Sequence, residues 1–210
     1  TIDASVLPSS AGNVLSDMIE RMSALEDHVR LSADVMKFVY TWAGGNTQKR
    51  YLFVFQNSAE LRPTGGFMGS LAVVDMYKGE ITHMDIPKGG IYDIAGQVPV
   101  HVTAPSPLWL VNPDWNIQDA NWFPDVPTSA RKILWFWDKA GGATVDGIVF
   151  ITPKLLVDIL TLTGSLMLGA PYDIVLTPEN VLDELQTRTS GKPYETTAPK
   201  EILKDILPLI

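Results

Sequence analysis

Apolar residues return along the N-terminal stretch at intervals of three and four: Leu15, Met18, Met22, Leu25 and Val29, then Val35, Met36, Val39 and Trp42. This spacing predicts one long amphipathic helix from Val14 to Trp42, ended by Gly44-Gly45. Such a helix either packs along the domain that follows or forms a stalk, which self-associates or leads back to a membrane anchor. Beyond it the period changes. Tyr51 to Phe55 and Leu71 to Tyr77 are apolar runs of strand length, and Lys78-Gly79 turns the second into Glu80 to Ile86, where alternation predicts the other arm of a hairpin.

Between Pro87 and Pro127 seven prolines accompany Trp109, Trp115 and Trp122. Long ordered loops tend to be functional, and the tryptophans are expected to pin this one as a cover over one end of a sheet. Helical periodicity resumes from Thr128 to Ala140 before Gly141-Gly142. GIVFI at Gly147 to Ile151 reads as a buried strand, and Thr152-Pro153 opens a helix that runs to Gly164. Leu166 to Leu168 and Tyr172 to Leu176 are of strand length, and Thr177-Pro178 starts a helix to about Thr187. A polar segment, TSGKPYETTAPK, precedes a last amphipathic piece, Glu201 to Leu207. Alternating strands and helices predict an α/β class with a mixed central sheet holding 51–55, 71–77, 80–86 and 147–151, flanked by helices 128–140 and 153–162. The expected organisation is a helical segment over 1–45 and an α/β domain over 46–210.

The 210 residues, 46% hydrophobic and 19% charged, suit a folded domain with a sizeable core. A formal net charge of −8 leaves no broad basic footprint for nucleic acid. Without cysteine there are no disulfides, thiolate metal sites or cysteine nucleophiles. No apolar run reaches the roughly 18 residues of a membrane span, and TIDASVLPSS lacks the basic-then-apolar order of a signal peptide, so any anchor is expected outside these residues.

His28, His83 and His101 stand far apart without metal-ligand spacing, TGGFMGS lacks the lysine of a phosphate-binding loop, and no serine sits in G-x-S-x-G. Two constellations remain. Asp119 and Asp125 share one loop with Asn121, a set of hard oxygen donors that suits Mg²⁺, although Asp125 also stands where it would cap the next helix. Arg62 and Lys88 each follow a strand end and precede paired glycines, Gly65-Gly66 and Gly89-Gly90. That pattern fits an anion site; the alternative is that the glycines only make turns and that Arg62 pairs with Glu60 or Asp85.

YLFVFQNSAELRPTGGFMGS, DANWFPDVPTSA and VDGIVFITPKLLVDILTLTGSL, in this order between Arg50 and Leu168, resemble the signature blocks of DUF 4012, a family of bacterial extracytoplasmic domains. More distantly, the chain is similar to the LytR-CpsA-Psr family of cell-wall phosphotransferases. Arg62-Pro63-Thr64 stands where that family has an Arg-Ser-Asp-Thr block, and Pro87-Lys88-Gly89 where it has Pro-Arg-Asp. Thr64 and Gly89 occupy its Asp positions, and Gln56-Asn57 the place of its first acid, so the basic grip is kept and the metal-binding acids are not.

The resemblance implies a LytR-CpsA-Psr-like fold in the cell envelope, membrane-anchored in the full-length protein. It implies binding, and transfer if acids from elsewhere hold the metal, of a polyprenyl-pyrophosphate-linked glycan, with Arg62, Lys88, Gly65 and Gly66 on the phosphates and Asp119 and Asp125 on Mg²⁺. The alternative is a non-catalytic extracytoplasmic interaction or scaffold module. Arg62, Lys88 and an acid converging on an apolar tunnel would favour the first; a filled core with Arg62 in an ion pair would favour the second.

Overall fold

Tyr51, Leu52, Phe53 and Val54 are buried one after another, as in a strand covered on both faces. They lie in β1 (Lys49–Asn57) of a computed structural model that describes residues 8–110, 112–189 and Ile206. β1 pairs antiparallel with β2 (Phe67–Tyr77) and parallel with β4 (Gly147–Ile151), while β3 (Glu80–Asp85) lies beyond β2, giving the order β3-β2-β1-β4. The mixed sheet and all four of its expected strands are therefore present. β2 and β3 are joined through Lys78 at φ 53° and Gly79 at φ 86°, two left-handed residues that give the twist of a tight hairpin. β3 stops at Asp85, one residue short of expectation, because Pro87 cannot donate to a ladder and restricts Ile86 before it.

The chain divides into two units. One is helix α1 (Ser9–Trp42) and the residues up to Gln48, with the hairpin turn Tyr77–Glu80. Within it the Lys78 and Gly79 amides donate to the carbonyls of Gly44 and Ala43 at 3.0 and 2.9 Å, which satisfies two groups left open where the helix ends. α1 begins five residues before the expected start. Large apolar side chains along it, among them Met18, Met22, Leu25, Leu31, Val35 and Phe38, are exposed. Among the described residues no helix is long and apolar enough to cross a membrane.

The other unit is the sheet domain. Leu52 and Val54 of β1, on one face by alternation, meet Met68 and Leu71 of β2 and a cover of helices: α2 (Ile91–Ala95) through Ile91 and Ile94, and α3 (Val126–Lys139) through Ile133, Phe136 and Trp137. A second cluster joins Leu156 and Leu160 of α4 (Pro153–Thr163) to Leu168, Leu176, Val181, Leu185 and Ile206. Here β5 (Leu166–Leu168) and β6 (Ile174–Leu176) make a separate two-stranded sheet, followed by α5 (Val181–Thr189). β6 starts two residues later than expected, since Asp173 is left-handed at φ 47°. TSGKPYETTAPK after its first residue, Thr189, and Glu201 to Leu207 lie outside the described residues, except Ile206, which is buried.

The long loop before α3 carries α2 and two 3₁₀ turns, Ser106–Leu110 and Ile117–Asp119. Trp115 is its firmest fixture: the indole N–H donates to the Asp119 carbonyl at 3.0 Å, and the ring meets Phe123 and Phe136 edge-on at about 6 Å. Lys132 lies over the same aromatic group, 4.4 Å from the Trp115 centroid and 4.1 Å from that of Trp135.

Candidate functional site

The register of β1 against β2 slips between Phe55 and Gln56: Phe55 faces Ser70, but Gln56 faces Met68, leaving Gly69 without a partner. By alternation Gln56 falls on the same face of β1 as Leu52 and Val54, and it lies inside, 2% exposed, at the end of a run that is otherwise aliphatic and aromatic. From Asn57 the chain turns on itself. Ala59 donates to the Asn57 side chain and Glu60 to its carbonyl, and Phe67 N–H closes the loop on Glu60 O at 2.8 Å.

Inside this loop Gly66, at φ 156°, passes so near the Asn57 backbone that a Cβ would stand 2.3 Å from its carbonyl oxygen. No side chain fits there. The Gly65 amide is donated to Arg62 O at 3.0 Å, so it serves the turn.

Two buried amides clamp the loop. Gln56 Nε2 donates to Thr64 Oγ1 at 2.7 Å, and Asn121 Nδ2 donates to Thr64 Oγ1 at 2.9 Å and to Gly66 O at 2.8 Å. Asn121 is fully buried, and among the described residues Gln56 Oε1 and Asn121 Oδ1 have no hydrogen-bond partner. Accepting from both sides, the Thr64 hydroxyl is left with its own proton to donate.

Arg62 lies just outside the clamp. Its guanidinium sits 5.2 Å from the Phe67 ring centroid, donates to Leu61 O at 3.0 Å and faces Asp119 at 3.7 Å, too long for a hydrogen bond but close enough for a charge contact. Burial pushes the Asp119 carboxyl above its usual range, and the charge of Arg62 offsets part of that push. Both side chains open onto a cleft of about 310 Å³, whose walls include Trp122, Leu61, Pro107, Asn112 and Asp114. Asp114 in turn holds His101 at 3.1 Å.

The remaining expected site residues lie elsewhere. Asp125 accepts from the Thr128 amide at 2.8 Å and from the Thr128 hydroxyl, which caps α3 and holds its carboxyl below the usual range. Lys88 is exposed and does not line the cleft, and the amide of Gly89 after it donates to Asp93 at 2.6 Å. Glu60 accepts from Asn57 at 3.1 Å.

The family model described as Protein of unknown function (DUF4012) matches residues 46–189, about two thirds of the chain. The chain belongs to this family. No curated protein and no solved structure matches it.

In this DUF4012 domain the match begins past α1 and takes in the clamp, Arg62 and the cleft. Among the described residues no three of His, Asp and Glu converge to hold a metal ion. Asp119 faces Arg62 and Asp125 faces Thr128, so the two aspartates are turned to different partners. The sequence led to the expectation of both Asp119 and Asp125 near Arg62, of which Asp119 faces it, and the amides were missed as a working pair. A polar Gln56 closing the apolar run YLFVF, and Asn121 set among Ala120, Trp122 and Phe123, were the available signals.

Proposed function

We propose that this domain is a non-catalytic binding module of the bacterial cell envelope, outside the cytoplasm, which holds the sugar-phosphate end of a polyprenyl-pyrophosphate-linked glycan in the cleft at Arg62. The observation that carries the reading is the clamp: Gln56 and Thr64, at two positions where the LytR-CpsA-Psr resemblance places metal-binding acids, are bonded to each other at 2.7 Å. Their adjacency is what the resemblance requires of two positions that share one site. Their chemistry is uncharged, and Thr64 follows Arg62 and Pro63 of the cleft wall in the chain.

Arg62 supplies the charge for a phosphate, while Trp122, Asn112 and Asp114 supply the flat apolar face and the polar edge on which a sugar ring binds. A LytR-CpsA-Psr-like fold and a membrane anchor in the full-length protein belong to the same proposal. The buried core beneath β1 and β2, with Arg62 facing Asp119, is what the interaction-module alternative expects, and the glycan reading rests instead on the cleft at Arg62.

Titration calorimetry of the 210-residue chain with a short-chain polyprenyl-pyrophosphate disaccharide, and with the free disaccharide, tests this. Saturable binding of the lipid-linked form is expected, weakened in Arg62→Ala by about 1.5–3 kcal/mol, the scale of a charge-assisted hydrogen bond. Binding indifferent to Arg62→Ala would move the site elsewhere, and release of the lipid phosphate during titration would make the domain a transferase.

A further inference from the structure

Read in sevens, α1 carries a second pattern that its exposed surface makes consequential. With Leu15, Met22, Val29 and Met36 at position a, position d holds Met18, Leu25, Ser32 and Val39, so seven of these eight residues are apolar. Every b and f position from Ser16 to Thr41 is polar. A repeat of 3.5 residues drifts by about 20° per heptad on a straight helix, so over this length it becomes one continuous stripe only when the helix supercoils about a partner. Met18, Met22, Leu25, Val29 and Met36 are each more than half exposed, a run of apolar surface along a helix roughly 50 Å long.

The flanking positions say which partner. In a parallel, in-register pair each g residue meets the e residue five positions on in the other helix. Those contacts are Val14 with Ile19, Arg21 with Glu26, His28 with Ala33 and Val35 with Tyr40, so the one charged pair is of opposite sign and no like charges meet. Arg21 already holds Asp17 of its own helix at 2.9 Å, and a guanidinium has donors enough for both acids. The helix is thus complementary to itself. We infer that α1 binds the α1 of a second copy of this chain in a parallel two-stranded coiled coil.

The chain has no cysteine, so introduced thiols report the arrangement cleanly. Met18→Cys and Ser32→Cys, both at d, are each expected to form a disulfide between copies on mild oxidation, because same-numbered d residues face one another across the axis of a parallel pair. An antiparallel pair would bring at most one of them together. Sedimentation equilibrium of the whole chain is expected to give twice 23.1 kDa. Arg21→Glu and Glu26→Arg should each weaken the dimer at least tenfold, and the double variant should recover it. A monomer, even one whose helix binds lipid vesicles, a higher oligomer, cross-linking at one thiol position or neither, or a double variant no better than the singles would overturn the inference.

Discussion

Thr64, Gly66, Asp119 and Asp125 show how little the type of a residue says until its neighbours are known. Asn121→Ala removes both bonds donated by a fully buried amide and leaves the Gly66 carbonyl only the 3.4 Å bond from Gln56 Nε2, so urea denaturation should find it about 1–3 kcal/mol less stable than the parent. The two aspartates should behave oppositely with pH. The folded pKa of Asp125 is depressed, so its contribution is present above the unfolded value and lost as pH falls through the folded one. Asp125→Ala is therefore less stable than the parent at neutral pH, and the difference vanishes in acid well below 3.8. The folded pKa of Asp119 is raised, so its contribution is complete below the unfolded value and fades as pH rises through the folded one. Asp119→Asn should gain stability over the parent at neutral pH and converge with it in acid. A residue that lowers stability while facing a cleft is what a binding site contains, and a titration showing the reverse order would remove that argument.

At the scale of elements, most starts and stops could be read along the chain because they are local chemistry. Asp125 with Pro127 opens α3 two residues before the expected Thr128, and Gly141 at φ 78° follows its end. The hairpin turn is a local compromise, since Lys78 takes a left-handed conformation that asparagine adopts more readily. Lys78→Asn should raise stability by roughly 1 kcal/mol, read from the denaturation midpoint at unchanged slope. The loop between Pro87 and Pro127 was expected to be pinned by three tryptophans, and they share that work unequally. Trp115 is packed and bonded, Trp109 is 56% exposed while donating to Ala104 O at 2.6 Å, and Trp122 faces the cleft. Trp115→Ala should accordingly open the loop to protease, whereas Trp122→Ala should leave it resistant and act on ligand binding.

Across the whole molecule, neither buried cluster contains a described residue of α1. A chain starting at residue 46, where the family match begins, is expected to keep a cooperative thermal transition close to the parent's while sedimenting as a monomer. Loss of the transition would mean that the helix is part of the fold's foundation.

Strands, helices and the mixed sheet could be read from the sequence because period, caps and breakers act over a few residues, and the placing of β1, β2, β3 and β4 together followed from buried runs and a two-residue turn. Family membership was legible for a similar reason, as blocks in order. What only the tertiary structure decided was which residues meet. Gln56 and Asn121 converge on Thr64 from 8 and 57 positions away, Asp119 rather than Glu60 or Asp85 faces Arg62, and Lys88 stands outside the cleft. Such meetings depend on a loop's path and on the order of strands, and no spacing along a chain encodes a distance across it.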